Sequence, residues 1–198
     1  HGLSADGKIT YEDAWKAVLA WNLIIDMGNL PRGCSAFAVR DKDGRMFLAH
    51  NTDGPKMMAG GTLIIFRPKN GYAFASYYGP QFVGVPLGVN EKGLAIVYNV
   101  TKQKQPQPGL PVLMMNREIL SRCANYDQAV KMITDFRAGG GRFGPAAANM
   151  VLVDFNSRRM ARIEMASDRV EIAEGRIDGN PSRTDGSGRH GWISATNH

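Results

Sequence analysis

The 198-residue sequence predicts an α+β fold in which antiparallel sheets carry helices on their outer side. Three observations point there. Apolar residues recur every second position through three successive hairpin-like pairs between residues 34 and 101. The spacing then becomes helical over residues 112–138. From residue 148 to residue 196 the period of two returns. Strands, then helices, then strands again, joined by short turns, favour antiparallel sheets packed against helices.

Each element has its own signal. Residues Thr10 to Met27 read as a helix, with Thr10 at its start, Glu12 and Asp13 in the first turn and Gly28 at its stop. Trp15, Val18, Leu19, Asn22 and Ile25 form one stripe on it. A linker, Gly28 to Gly33, leads to Cys34. Ser35 to Val39 and Arg45 to His50 are strands about the turn Asp41-Lys-Asp-Gly44, a strong hairpin signal. Thr62 to Phe66 pairs with Tyr72 to Tyr78 around Pro68-Lys-Asn-Gly71. Phe82 to Val89 pairs with Leu94 to Thr101 around Asn90-Glu-Lys-Gly93. The polar, proline-rich run Lys102 to Pro111 is a loop suited to lining a site. Helices follow at Val112 to Cys123 and at Tyr126 to Ala138, the latter ended by Gly139-Gly-Gly141. Ala148 to Phe155 and Arg159 to Met165 turn at Asn156-Ser157, Arg169 to Ala173 adds a strand, and Trp192 to Thr196 is the last. Gly175 to Gly191 reads as a mobile loop.

Composition narrows the function classes. Apolar residues at 43% and charged residues at 21% describe a soluble globular protein large enough for a real core. No run approaches the roughly 18 apolar residues of a membrane span. The net charge of +6 is scattered, Arg158-Arg159 being the only adjacent basic pair, so nucleic-acid binding is not expected. Cys34 and Cys123 make neither a disulfide framework nor a metal site, and no cofactor or metal is expected. The chain opens at His1 rather than at methionine, which leaves room for a cleaved signal peptide.

The chemistry gathers at Pro31-Arg-Gly-Cys-Ser-Ala-Phe-Ala-Val39. A thiol is the most nucleophilic ordinary side chain and acts as thiolate. Gly33 offers little hindrance to attack on its own carbonyl by the neighbouring sulfur. Cleavage there would leave Cys34 with a free α-amine, a base for its own thiol. The alternative is a buried structural cysteine on a core strand.

Three stretches decide between these. Gly33-Cys-Ser-Ala-Phe-Ala-Val39, His50-Asn-Thr-Asp53 and Gly88-Val-Asn-Glu-Lys-Gly-Leu-Ala-Ile-Val-Tyr-Asn99 resemble the cysteine N-terminal-nucleophile hydrolases. The nearest branch is the isopenicillin N acyltransferase group, peptidase family C45, with choloylglycine hydrolases as relatives. The resemblance runs from Cys34 to the end of the chain. It implies an αββα four-layer sandwich of two antiparallel sheets, with the nucleophile at the start of a strand. Residues 1–33 would be a pro-segment or an α-fragment helix preceding the cleavage site, and residues 34–198 the N-terminal portion of the catalytic domain. Relatives continue beyond the Asn197-His198 pair, so the fold may be expected to be incomplete at its C-terminus.

The resemblance also implies roles. Cys34 attacks an amide or ester carbonyl. Asp53, nineteen positions later, holds the α-amine; Asn99 and Asn197 supply the oxyanion hole. Choloylglycine hydrolases have arginine where this chain has His50, sixteen positions after the cysteine, while phospholipase B-like proteins share an Ala-His-Asn-Thr segment. His50 is therefore a further candidate, able to polarise the thiol or bind substrate. Each has a plainer alternative: His50 as a hydrogen-bonded strand-end histidine, Asp53 as a turn residue, Asn197 as a loop residue, Asn99 as the head of an Asn-Val-Thr sequon. Cys123 reads as core, and Glu164 as the partner of an arginine. The implied activity is an amidohydrolase or acyltransferase on linear amides: N-acyl amino acids, acyl-peptides or β-lactam side chains. A lipid acyl hydrolase and an inactive binding domain of the same fold are the rivals. The partner expected is a small-molecule amide or acyl substrate, with no nucleic acid and no integral membrane segment. The oligomeric state is open, a homo-oligomer included, and a secreted, periplasmic or lysosome-like compartment is favoured.

Overall fold

The computed structural model describes residues 10, 12–13, 16, 33–41, 43–53, 61–78, 83–175 and 191–196. Among the described residues, ten strands form two antiparallel sheets. A three-stranded sheet has the order β10-β1-β2, where β1 is Gly33–Arg40, β2 is Met46–Asp53 and β10 is Gly191–Thr196. A seven-stranded sheet keeps chain order: β3 (Thr62–Phe66), β4 (Phe74–Tyr78), β5 (Leu87–Asn90), β6 (Leu94–Thr101), β7 (Ala147–Asp154), β8 (Arg159–Met165) and β9 (Val170–Glu174). Helices α1 (Val112–Arg122) and α2 (Tyr126–Ala138) lie between β6 and β7 in the chain.

Strand periodicity sorts the core into two layers. On β6, Leu94, Ile96, Tyr98 and Val100 face α1 and α2, packing with Leu113, Ile119, Leu120, Tyr126 and Ile133. The alternate residue Val97 faces the small sheet, packing with Ala36 and Ala38 of β1, Val151 and Val153 of β7, and Ile193 and Ala195 of β10. Because both faces of β6 are covered, Leu94 to Val100 form an unbroken buried run. Each such aliphatic side chain contributes about 1.5–3 kcal/mol through its burial. Ala36, Ala38, Ala95 and Ala195 are small where the sheets meet, and their size permits the close approach.

Four polar side chains lock the frame. Asn90, 4% exposed, accepts from the backbone N–H groups of Lys92 and Leu94 and donates to the carbonyls of Leu120 and Cys123. One side chain thus closes the β5–β6 turn and ties it to the end of α1. Asp154 accepts from the N–H groups of Asn156 and Ser157 in the β7–β8 turn and from Tyr126 at the start of α2. Burial pushes the Asp154 carboxyl upward, but these hydrogen bonds outweigh it and hold it below its usual range. Asn125 caps α2, accepting from Gln128 N–H at 3.0 Å. Arg159 bridges Asp127 and Glu174 while stacking over the Tyr126 ring.

Most expected strands and both central helices lie within one or two residues of their anticipated bounds. The strand expected over Phe82 to Val89 is shorter, beginning at Leu87. Val85 instead donates its N–H to the Leu113 carbonyl at 2.9 Å, and Pro86 has no N–H to extend the ladder. Of the helix expected at Thr10 to Met27, Glu12, Asp13 and Lys16 are helical, and the Asp13 N–H donates to Thr10 Oγ1 as a helix start requires. Its apolar stripe, the linker before Gly33 and residues 176–190 lie outside the described residues. No helix among the described residues is long and apolar enough to cross a membrane.

Candidate active site

The β1–β2 turn sets the register that builds the site. Asp41 Oδ1 accepts from the N–H groups of Asp43 and Arg45, and Gly44 takes a φ of 81°, where a side chain would be strained. The ladder that follows pairs Ala36 with His50, Cys34 with Thr52 and Gly33 with Asp53. Paired residues share a face, so Cys34, His50 and Thr52 all point toward the seven-stranded sheet, with Ala36 and Ala38. Cys34 is half-buried, and neither it nor Cys123 is in a disulfide.

The inner face, apolar along most of its length, turns polar at this end. His50 Nε2 lies 3.0 Å from Asn99 Oδ1, and His50 Nδ1 lies 3.0 Å from Thr52 Oγ1. Asn99, fully buried on β6, donates from Nδ2 to the Ala195 carbonyl on β10 at 2.8 Å. The protons follow from the chemistry of the groups. A carbonyl can only accept, so Ala195 takes the amide nitrogen and leaves Oδ1 for His50; Oδ1 also only accepts, so His50 Nε2 carries hydrogen. In the neutral ring Nδ1 is then the acceptor, and the Thr52 hydroxyl donates to it. Burial lowers the His50 pKa below the ordinary imidazole value, against hydrogen bonds with the Asn99 side chain and the Tyr98 backbone that pull it upward. The neutral ring is thus the favoured form at neutral pH.

Asp53 stands on the opposite face of β2 from Thr52, beside the residue before the cysteine. A Cβ built on Gly33 would meet Asp53 Oδ2 at 2.8 Å, so only glycine fits without displacing that carboxylate. Asn51 Nδ2 donates to the other carboxylate oxygen at 3.1 Å. The carboxylate therefore flanks the Gly33-Cys34 peptide.

Of the residues singled out by sequence, Cys34, His50 and Asn99 come together at one end of the inter-sheet space, and Asp53 lies against Gly33. Asn197 lies outside the described residues; β10 ends at Thr196, just before it. Thr52 is the member that sequence reasoning passed over, although its position two residues after His50 on a strand of period two already put both on one face. Cys123 is core, 1% exposed, its thiol pushed up to about 11 by burial and by the Glu118 carboxylate. Glu164 lies 3.8 Å from Arg162 and 4.0 Å from Arg169, a loose pairing with arginines. Across the sheet Asn99 pairs with Asn149 and Asn149 with Glu164, a polar row leading to a cavity of about 1040 Å³ that Lys102, Arg142 and Arg169 help line. No group of three or more His, Cys, Asp or Glu among the described residues could hold a metal ion.

Comparison with known proteins places the fold. The family model of acyl-coenzyme A:6-aminopenicillanic acid acyl-transferase matches residues 39–198, more than half of the chain. The chain belongs to this acyl-transferase family. No curated protein matches it. Among solved structures, the N-acylethanolamine-hydrolyzing acid amidase ortholog of Caenorhabditis elegans superposes with a TM-score of 0.58 at 14% identity, over 83% of this chain and 70% of that one. A mutant conjugated bile acid hydrolase from Clostridium perfringens gives a TM-score of 0.52 at 14% identity, over 73% of this chain and 51% of that one. This chain therefore spans about half the length of the bile acid hydrolase. At these identities the likeness establishes the fold, two stacked antiparallel sheets of the N-terminal-nucleophile hydrolase type. The family match begins at Val39, after the cysteine, so the site rests on its own geometry.

Proposed function

We propose that this protein is an autoproteolytically activated cysteine amidohydrolase or acyltransferase acting on linear amides. N-acyl amino acids, acyl-peptides and β-lactam side chains are the substrate types. The observation that carries the reading is the register Cys34↔Thr52 and Ala36↔His50, which puts a half-buried thiol on the same face as a part-buried His50 bonded to the buried Asn99 at the sheet end. Residues 1–33 serve as a pro-segment, and cleavage of Gly33-Cys34 frees the catalytic chain 34–198.

In the mature enzyme Cys34 Sγ attacks the amide carbonyl, the C–N bond breaks and the amine departs with a proton, leaving a thioester. Water or a second amine then takes the acyl group and returns the thiol. Asp53, already flanking Gly33, orients the new α-amine; an anionic neighbour raises an amine's pKa, so its benefit is orientation more than basicity. Asn99 Nδ2 has two hydrogens and gives one to Ala195. Its second, with the amide of Asn197, stabilises the oxyanion, each such donor being worth about 3–4 kcal/mol of barrier. Intact-mass spectrometry of the purified chain with a panel of N-acyl amino acids and acyl-peptides tests this. Two pieces split before Cys34, together with amide turnover, support it. One unchanging full-length species without turnover supports an inactive binding domain of the same fold.

His50 in place of the choloylglycine-hydrolase arginine favours one second reading, a phospholipase B-like acyl hydrolase. Fatty acid released from a phospholipid panel, with no amide turnover, would establish it.

A further inference from the structure

We infer that Thr52 relays the thiol proton of Cys34 to His50, providing a base for the cysteine before any α-amine exists. The inference rests on the reading of Cys34 as nucleophile and deepens it. In the uncut chain the Cys34 nitrogen is an amide with no useful basicity. Self-cleavage therefore needs a proton acceptor other than the one that serves the mature enzyme.

The hydrogen-bond chain has a fixed direction. Ala195 O accepts from Asn99, Asn99 Oδ1 accepts from His50 Nε2–H, and His50 Nδ1 accepts from Thr52 Oγ1–H. The hydroxyl has one hydrogen, and His50 takes it. What remains on Thr52 is acceptor capacity, open to a donor. The residue directly across the ladder on that face is Cys34. Facing Cβ atoms in such a pair are about 4.5–5.5 Å apart, so an S–H group and a hydroxyl oxygen there lie within reach of each other. Among the described residues, those placed on this face beside Cys34 and His50 carry no charge: β1 continues with Ala36, β10 contributes Ala195 and β6 contributes Asn99.

The step balances. The Cys34 S–H bond breaks and its proton passes to Thr52 Oγ1, while the Thr52 hydroxyl proton passes to His50 Nδ1. The products are a thiolate and an imidazolium whose Nε2–H stays on Asn99. The thiolate bonds to the Gly33 carbonyl carbon, the Gly33–Cys34 C–N bond breaks, and the departing nitrogen recovers the proton from His50 through Thr52. Water then hydrolyses the Gly33 thioester, leaving a carboxylate and the free Cys34 thiol with its new amine.

The test compares Thr52→Val with Thr52→Ser in the full chain. Valine keeps the β-branched shape on the strand and removes the hydroxyl; serine keeps the hydroxyl. The rate of Cys34 alkylation by iodoacetamide at neutral pH is read by peptide mass spectrometry, with buried Cys123 as the internal control. The relay predicts that valine slows Cys34 alkylation and Gly33-Cys34 cleavage by about tenfold or more, within the range of a lost general base. Serine stays near wild type. In a His50→Gln background, Thr52→Val has no further effect, a non-additivity that a purely structural role would not produce. Alkylation unchanged in Thr52→Val overturns the relay. If the wild-type chain neither cleaves nor turns over amides but Thr52→Val still slows alkylation, the relay stands and the amidase reading falls. If cleavage and turnover occur and are indifferent to Thr52→Val, the relay falls and the amidase reading stands.

Discussion

Two buried asparagines show how differently one residue type can be used. Asn90, at the end of β5, makes four hydrogen bonds, every one of them to backbone: Lys92, Leu94, Leu120 and Cys123. Asn99, on β6, donates one bond to the Ala195 carbonyl and accepts the other from the ring of His50. The first joins a turn to a helix end and has no titratable side chain to influence. The second fixes which nitrogen of a histidine carries hydrogen, beside the face that bears a thiol. A buried amide satisfied wholly by backbone is architecture, whereas one that orients a titratable ring is part of a chemical site.

Substitutions should separate the two regions. The largest effect is expected at the site: Cys34→Ala should lower amide turnover by about four orders of magnitude or more and abolish cleavage, with the melting temperature unchanged. Turnover surviving in that variant would remove the nucleophile assignment. Asn99→Ala should lower kcat by about 10²–10³-fold, with a smaller change in KM, because an oxyanion donor acts mainly in the transition state. A loss confined to KM would move Asn99 to substrate binding.

At the other region the pattern should invert. Asn90→Ala leaves two N–H groups of the β5–β6 turn and two carbonyls at the end of α1 without their partner, and should lower unfolding stability by about 2–4 kcal/mol in denaturant titrations. Its kcat, measured well below the melting temperature, should match wild type. A matched loss of kcat would mean that the two asparagines are not separable as argued.

The pH dependences should part in the same way. Asp154 has a folded pKa below its unfolded value, so its contribution is present above the unfolded pKa of about 3.9 and is lost as pH falls through the folded value. Asp154→Asn should flatten the acid limb of stability without touching the activity profile. His50 also has a lowered folded pKa, and for a base this means that the folded state favours the neutral ring. Its contribution is complete above the unfolded value of about 6.5 and falls away as pH drops through the folded one. The acid limb of the Gly33-Cys34 cleavage rate should therefore lie below about pH 6.5 and disappear in His50→Gln, a shift visible in pH–rate profiles.

Much of this was legible in the residues because local signals agreed with the final packing. Asp41-Lys-Asp-Gly44 and Asn90-Glu-Lys-Gly93 are turns for reasons visible in the chain, and the apolar alternation around them places the faces. The β5 boundary was less legible, since the Val85 backbone pairs with the distant Leu113 carbonyl. Thr52 was derivable in principle: a turn closing on Arg40↔Met46 sets Cys34↔Thr52 by counting. The Asn99–His50 contact was not derivable from periodicity, because it joins two sheets whose relative position depends on the small residues between them. Asn90 belongs to a hairpin motif visible in the chain, but its four backbone partners come from two separate segments.

Trapping the acyl intermediate is the most direct trial of Cys34 as nucleophile. The purified protein would be incubated with an activated acyl ester, quenched in acid, digested and mapped by mass spectrometry. The expected result is one acyl group on the peptide carrying Cys34, absent in Cys34→Ala and slower to form in Thr52→Val. An adduct elsewhere, or none on Cys34 while amide turnover proceeds, would contradict it.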